Sequence, residues 1–164
     1  LENIEWRVID GEAPDHGRDY DLIVSNMTFQ WFENPKHALS RLHNLLKPSG
    51  ILLYSVPCNQ SFKEWRSVLS DLSLPNGYTH FFDWPGIYAE ENIVIDYKNT
   101  LNFLKTLKQT GANVPSKHYE HLNSSEIRRA CQLADKKHQG RITWKIFYGR
   151  LFAGARDDKN HDAT

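Results

Sequence analysis

Between Tyr20 and Val56 the chain alternates apolar runs with polar turns in an order that predicts strand, turn, helix and strand. Leu22, Ile23 and Val24 form an uninterrupted apolar run, the pattern of a strand covered on both faces, and it stops at Ser25-Asn26. Asn34-Pro35 opens a helix, because an Asn side chain accepts orphan amide hydrogens and proline's fixed φ suits the first turn. Ala38, Leu39, Leu42, Leu45 and Leu46 share one face of it. Pro48 and Gly50 are expected to end the helix, and Ile51, Leu52, Leu53 and Val56 to form the next strand. This order is one unit of a parallel α/β sheet. Ligands of open α/β sheets bind beyond the carboxyl ends of the strands, which places Ser25, Asn26, Met27, Gln30 and Trp31 where chemistry is expected.

The same reading extends along the chain. Ile4 to Ile9 predicts a short strand ending at Asp10-Gly11-Glu12, where an acidic side chain can accept a hydrogen bond from a ligand amine. Ser61 and Glu64 have the spacing of a capping box, ahead of an apolar stripe made by Phe62, Trp65, Val68, Leu69 and Leu72. From Pro75 to Pro85 the pattern turns aromatic and irregular, with Tyr78, His80, Phe81, Phe82 and Trp84 around Gly77, as in an insertion rather than a sheet element. Ile93 to Ile95 predicts a brief strand. Asn99 starts a helix that Gly111 stops, and Asn123 with Glu126 caps another whose buried face is Ile127, Ala130, Cys131 and Ala134. Arg141 to Phe152 alternates with period two, which suits an antiparallel strand near the sheet edge. Residues 157–164 are too polar to pack and are expected to form a disordered tail.

Composition adds limits. With 164 residues, 40% of them hydrophobic, one domain with a real core is expected over 1–156. No apolar run has the length of a membrane span and no charged-then-apolar leader opens the chain, so a cytoplasmic location is expected. The first residue is Leu, and the chain reads as a piece of a longer protein trimmed at its amino end. Cys58 and Cys131 lie far apart with no CxxC partner and read as free thiols of a reducing compartment. His118 and His121 are spaced for one helical face but have no third ligand at a familiar spacing, so no metal is expected.

The net charge of zero hides an asymmetry. Residues 1–35 carry eight acidic side chains against Arg7 and Arg18, while residues 98–150 carry eleven Lys or Arg against Glu120, Glu126 and Asp135. A basic half of this kind suits an acidic partner or is simply a set of solvated helix faces. Nucleic acid is disfavoured, because the charges lack dense clustering and interleaved aromatic platforms.

SN-x-x-x-QW at Ser25 to Trp31, followed by a helix and LKPSGILLYS, resembles the class I S-adenosylmethionine-dependent methyltransferases. Within these it is most similar to the malonyl-acyl-carrier-protein O-methyltransferases of biotin synthesis, and the similarity continues at TLNFLKTLKQTGAN and GRITWKIFYGRLFA. The resemblance implies a Rossmann-like sheet in a three-layer αβα arrangement, with one antiparallel strand near its end. It implies S-adenosyl-L-methionine as cofactor, with an acid at the strand end contacting the adenine amine. The family has Gly before that acid, whereas Gly11 follows Asp10 here, so the contact falls to Asp10 or Glu12. Asp10, Gly11, Glu12, Ser25 and Asn26 are then the cofactor-side candidates and Met27, Gln30 and Trp31 the substrate-side ones. The aromatic insertion, about 59–91, becomes a lid over a pantetheine arm or plain packing of a long connection. The implied partner is an acyl carrier protein bearing a malonyl thioester, for which Lys98, Lys105, Lys108, Arg128, Arg129, Lys136 and Lys137 form a docking surface.

The family's G-x-G-x-G strand-to-helix turn does not occur in these residues, and by resemblance the first two strands are lacking as well. Residues 1–164 alone are therefore expected to bind the cofactor poorly and to fold marginally. Three functions stay open: methyl transfer to the free carboxylate of malonyl-carrier protein, methyl transfer to another small-molecule acceptor, and a methyltransferase-like assembly module without catalysis.

Overall fold

The structure, a computed structural model, describes residues 3–14, 17, 19–77, 83–110 and 120–154. Four strands, β1 (Tyr20–Asn26), β2 (Leu46–Pro57), β3 (Ile87–Asp96) and β4 (Arg141–Phe152), form one sheet in the order β1-β2-β4-β3. The helices are α1 (Pro35–Asn44), α2 (Lys63–Asp71), α3 (Thr100–Gln109) and α4 (Ser124–His138). β1 and β2 are parallel, with Leu22 opposite Ile51 and Asn26 opposite Ser55. β4 is antiparallel to β2. Cys58 N donates to Lys145 O and Ala153 N donates to Gly50 O, both at 2.9 Å, so partner numbers fall as residue numbers rise. Arg150 N to Gly86 O and Tyr97 N to Gly140 O give the same sense for β3 against β4. The sheet is thus the expected Rossmann-like α/β type, with the expected antiparallel strand.

The chain divides into two compact units and passes between them within β2, β3 and β4, among other places. The first holds Leu1–Val56, Phe82–Ala89 and Phe147–Thr164. Here Asn34 Oδ1 accepts a hydrogen bond from His37 N at 3.1 Å, as its capping position predicts. Phe29 is fully buried against the rings of Phe32, Tyr54 and Trp84, with centroids 5.5, 5.7 and 5.9 Å away. α1 ends at Asn44, earlier than Pro48 and Gly50 suggested, and those two residues lie inside β2. The carbonyl of Leu45 accepts the amides of Asp19 and Tyr20, which draws the chain into the sheet at once. The extra residues up to Gly50 form a bulge between the pairs Tyr20–Leu46 and Leu22–Ile51. A Cβ on Gly50 would stand 2.8 Å from the Tyr20 carbonyl oxygen, so the bulge needs glycine there.

Two expectations about this unit are corrected. Ile4 to Ile9 is not a strand, because among the described residues no segment pairs with it; Trp6 is 88% exposed and Val8 wholly so. β1 is not covered on both faces: it is an outer strand of the described sheet, and Leu22 and Val24 remain 53% and 64% exposed.

The second unit holds Pro57–Phe81 and Glu90–Ile146. α2, α3 and α4 bury Trp65, Val68, Leu69, Phe103, Leu107, Ala130, Cys131 and Ala134 with Ile142 of β4 in one cluster. Asn99 caps α3, accepting from Asn102 N at 2.9 Å. Asn123 and Glu126 form the predicted reciprocal cap of α4. The Ser61–Glu64 capping box does not form. Ser61 Oγ instead donates to Lys145 O at 2.9 Å and accepts from Lys145 N at 3.0 Å, while the Glu64 carboxylate accepts from the backbone and hydroxyl of Thr143. Groups on β4 outcompete the local cap because they would otherwise be left unpaired as the helix packs on the strand. β3 is longer than the brief strand expected at Ile93–Ile95, since its pairing with β4 continues to Gly86. α3 ends at Gln109; the proposed stop at Gly111, the aromatics Tyr78 to Phe82, His118 and the polar tail lie outside the described residues. Both cysteines are free and buried as expected. Burial, and secondarily the Asp135 carboxylate, pushes the Cys131 thiol pKa up, so it stays protonated.

Candidate active site

β1 delivers its polar end residues beside the end of β2, because the parallel register sets Ser25 opposite Tyr54 and Asn26 opposite Ser55. At Met27 the backbone turns left-handed, with φ 52°. That turn is held by Ser55: Met27 N donates to Ser55 O at 3.0 Å and to Ser55 Oγ at 3.2 Å. Ser55 Oγ donates in turn to Asn26 Oδ1, so one buried serine fixes both the Asn26 amide and the turn. Gln30 Nε2 donates to Met27 O at 2.6 Å. Its Oε1 is buried with no hydrogen-bond partner among the described residues. A buried amide oxygen left unpaired is costly, so it is an acceptor suited to a donor from outside the chain. Trp31 closes the short 3-10 turn Phe29–Trp31 and is 47% exposed.

A second group forms at Asp10-Gly11-Glu12. One Asp10 oxygen accepts from Glu12 N at 2.9 Å, and Asp10 O accepts from Ala13 N at 3.2 Å, which makes a tight turn. Glu12 reaches the start of α1, its two carboxylate oxygens accepting from Glu33 N at 3.1 Å and Asn34 N at 2.8 Å. Gly11 lies against Phe32, where an added Cβ would meet the ring at 2.8 Å. Among the described residues no hydrogen bond joins this turn to Asn26, Met27 or Gln30. The two groups are linked through packing instead, since Phe32 stacks edge-on against Phe29 of the 3-10 turn.

Sequence reasoning missed Ser55 and Tyr54. The signal was available in LLYSV: if β1 and β2 are parallel neighbours, the polar residue ending the second apolar run must sit beside the one ending the first. Burial raises the Tyr54 pKa to about 12. The hydroxyl therefore stays protonated and donates to Pro85 O, which anchors Trp84 and the aromatic wall behind the turn. The site offers amides, a hydroxyl and aromatic walls that can orient a polar ligand. Among the described residues, no three His, Cys, Asp or Glu side chains converge to hold a metal ion.

Residues 3–135 match a protein family described as methyltransferase domain. A malonyl-[acyl-carrier protein] O-methyltransferase from Magnetococcus marinus is 29% identical over 167 residues, covering 94% of this chain and 62% of the relative. The biotin biosynthesis bifunctional protein BioCD of Bordetella avium is 34% identical over 153 residues, covering 87% of this chain and 32% of that protein. The chain thus spans 62% of the length of the first relative and 32% of the second. Among solved structures, the [4+2]-cyclase SpnF is similar with a TM-score of 0.45 at 12% identity, covering 93% of this chain and 58% of that one. The family match runs from before β1 into α4, over most of the chain, and the resemblance read from SN-x-x-x-QW and LKPSGILLYS is borne out. This chain belongs to the methyltransferase domain family.

Proposed function

We propose that the protein containing this chain is an S-adenosylmethionine-dependent O-methyltransferase that esterifies the free carboxylate of malonyl-acyl-carrier protein in the cytoplasm. The observation that carries this reading is the match of 94% of the chain to a relative bearing that name, a match that includes the polar turn after β1.

The residues present suit such a donor. On the cofactor side, the second Asp10 oxygen makes no hydrogen bond among the described residues, and on the acceptor side Gln30 Oε1 is a buried acceptor without a partner there. Asp10 would accept the adenine amine, with Gly11 and Glu12 shaping its turn. Ser25 and Asn26 would line the cofactor side of the β1 terminus, and Met27, Gln30 and Trp31 the acceptor side. The bound donor supplies an activated sulfonium methyl group. A malonyl carboxylate, with a pKa of about 4, is already ionised at neutral pH, so no general base is needed. The chain's own contribution is alignment and removal of water around that carboxylate: Ser55 locks the turn, Gln30 orients a polar group, and Trp31 walls off solvent.

Incubating the full-length protein with malonyl-carrier protein and S-adenosylmethionine should give the methyl ester, detected by mass spectrometry of the pantetheine arm. Failure to form it, together with failure to restore growth of a biotin-requiring strain, would overturn the substrate. Gln30→Ala should lower turnover by about tenfold or more through lost positioning.

A further inference from the structure

Of the seven cations the sequence assigns to a basic surface of the second unit, Lys98 and Lys137 pair with Asp96 and Asp71, and the other five remain. On α3, Phe103 and Leu107 are buried, so Lys105 and Lys108 fall on the opposite, exposed side. On α4, Ala130, Cys131 and Ala134 are buried, and Arg128, Arg129 and Lys136 face solvent. The two helices pack on each other, and each carries its cations at exposed positions. Among the described residues none of the five makes an ion pair.

The acids of these helices are taken up internally. Glu126 bonds the Asn123 amide at 2.8 Å, and Asp135 accepts from the Thr100 amide and hydroxyl, both at 2.6 Å. The five exposed cations are therefore left without an ion-pair partner among the described residues, while the two carboxylates point to backbone and hydroxyl groups. Cations of this kind steer and orient an acidic partner. The partner's class follows from what the faces lack. α3 and α4 expose no aromatic side chain on which a base could stack, which disfavours a nucleic-acid strand. α4 exposes no large apolar side chain that would enter a lipid surface, and α3 exposes only Leu101.

We propose that the outer faces of α3 and α4 are the docking surface for an acidic protein domain, which under the function proposed above is the carrier protein that bears the thioester. This assignment rests on that reading for the partner's identity. Docking through long, solvated Lys and Arg side chains acts on encounter and orientation and leaves the methyl-transfer step itself untouched.

The test uses the full-length protein carrying Arg128→Glu, Arg129→Glu and Lys136→Glu together, with Lys36→Glu on α1 as a charge control. With malonyl-carrier protein as acceptor, KM should rise about tenfold or more in the triple variant and become insensitive to added salt. With malonyl-pantetheine, which lacks the protein, kcat and KM should match the wild type. An unchanged KM for the carrier protein overturns the docking surface, as does an equal loss with malonyl-pantetheine. If the wild type methylates neither thioester, the function fails separately. Fluorescence anisotropy of labelled carrier protein then decides the surface alone: wild-type binding that the triple variant loses supports it, and no wild-type binding, or binding of single-stranded RNA or anionic vesicles in its place, overturns it.

Discussion

The two compact units cover their own apolar surface to very different degrees. In the second, Val68, Phe103, Ala130, Ala134 and Ile142 are completely buried by neighbours within that unit. In the first, the aromatic cluster around Phe29 is equally closed, but Leu22 and Val24 of β1 stay largely exposed, as does Trp6 upstream. The β1 pattern is written for a strand with cover on both faces, whereas the second unit's helices each have one apolar face and one layer to meet it. Packing, not propensity, accounts for the difference: the same kind of apolar residue stabilises only where a partner surface removes it from water.

The sharpest way to break this comparison is to cut one side chain from each unit. Phe103→Ala should cost about 3–5 kcal/mol, because it removes a ring that is wholly buried and in contact with those of Phe62 and Tyr97. Val24→Ala should cost less than about 1 kcal/mol, since its side chain is already mostly in water. Urea denaturation of the two variants gives both values, and site-resolved amide exchange separates the units. Equal losses would mean that β1 is covered in solution.

The tie between α2 and β4 tests the second unit at intermediate size. Burial raises the Glu64 pKa, but the hydrogen bonds from the Thr143 side chain and backbone outweigh it, and the net direction is downward. Glu64→Gln should cost about 1–3 kcal/mol near pH 7, because Thr143 is buried and loses a charged acceptor. The pH dependence follows from the sign. A carboxylate whose folded pKa lies below its unfolded value stabilises the fold above the unfolded pKa, and that stabilisation disappears as pH falls through the folded value. The gap between wild type and variant in denaturation experiments should therefore be constant above about pH 5 and shrink below about pH 4. A gap independent of pH down to acid unfolding would place the effect in shape rather than charge.

What could be read from the sequence follows the range of the interactions involved. Asn34, Asn99 and Asn123 cap helices through amides two or three residues away, and each was legible. Ser61 and Glu64 have the same local grammar, yet their partners are Lys145 and Thr143, about eighty residues downstream in the chain. No local rule can weigh a strand it does not know to be adjacent. The site divides in the same way. Asn26, Met27 and Gln30 are candidates from sequence because a strand's carboxyl end is a general place for ligands, and Gln30 bonds Met27 within one turn. Ser55, which holds that turn, became visible only with the β1 to β2 register. Ile4 to Ile9 carries a strand-like pattern that a pairing partner must complete, and none is present among the described residues.

The smallest expected effect separates the two units by their caps. Asn123 accepts the amides of Ser125 and Glu126, both at 3.0 Å, and Glu126 returns a bond to the Asn123 amide, so among the described residues the start of α4 is capped by this pair. α1 divides the task. Asn34 accepts only from His37 N, while the Glu12 carboxylate takes the amides of Glu33 and Asn34 from outside the helix. Asn123→Ala should therefore cost about 1 kcal/mol, and Asn34→Ala about half as much, because Glu12 still holds the approach to α1. Adding Glu12→Gln to Asn34→Ala should bring the loss above the sum of the two single losses, since neighbouring caps on one helix end are coupled. Strictly additive losses in urea denaturation would mean that the Asp10-Gly11-Glu12 turn is free to leave α1, and would release Glu12 for a role at the site.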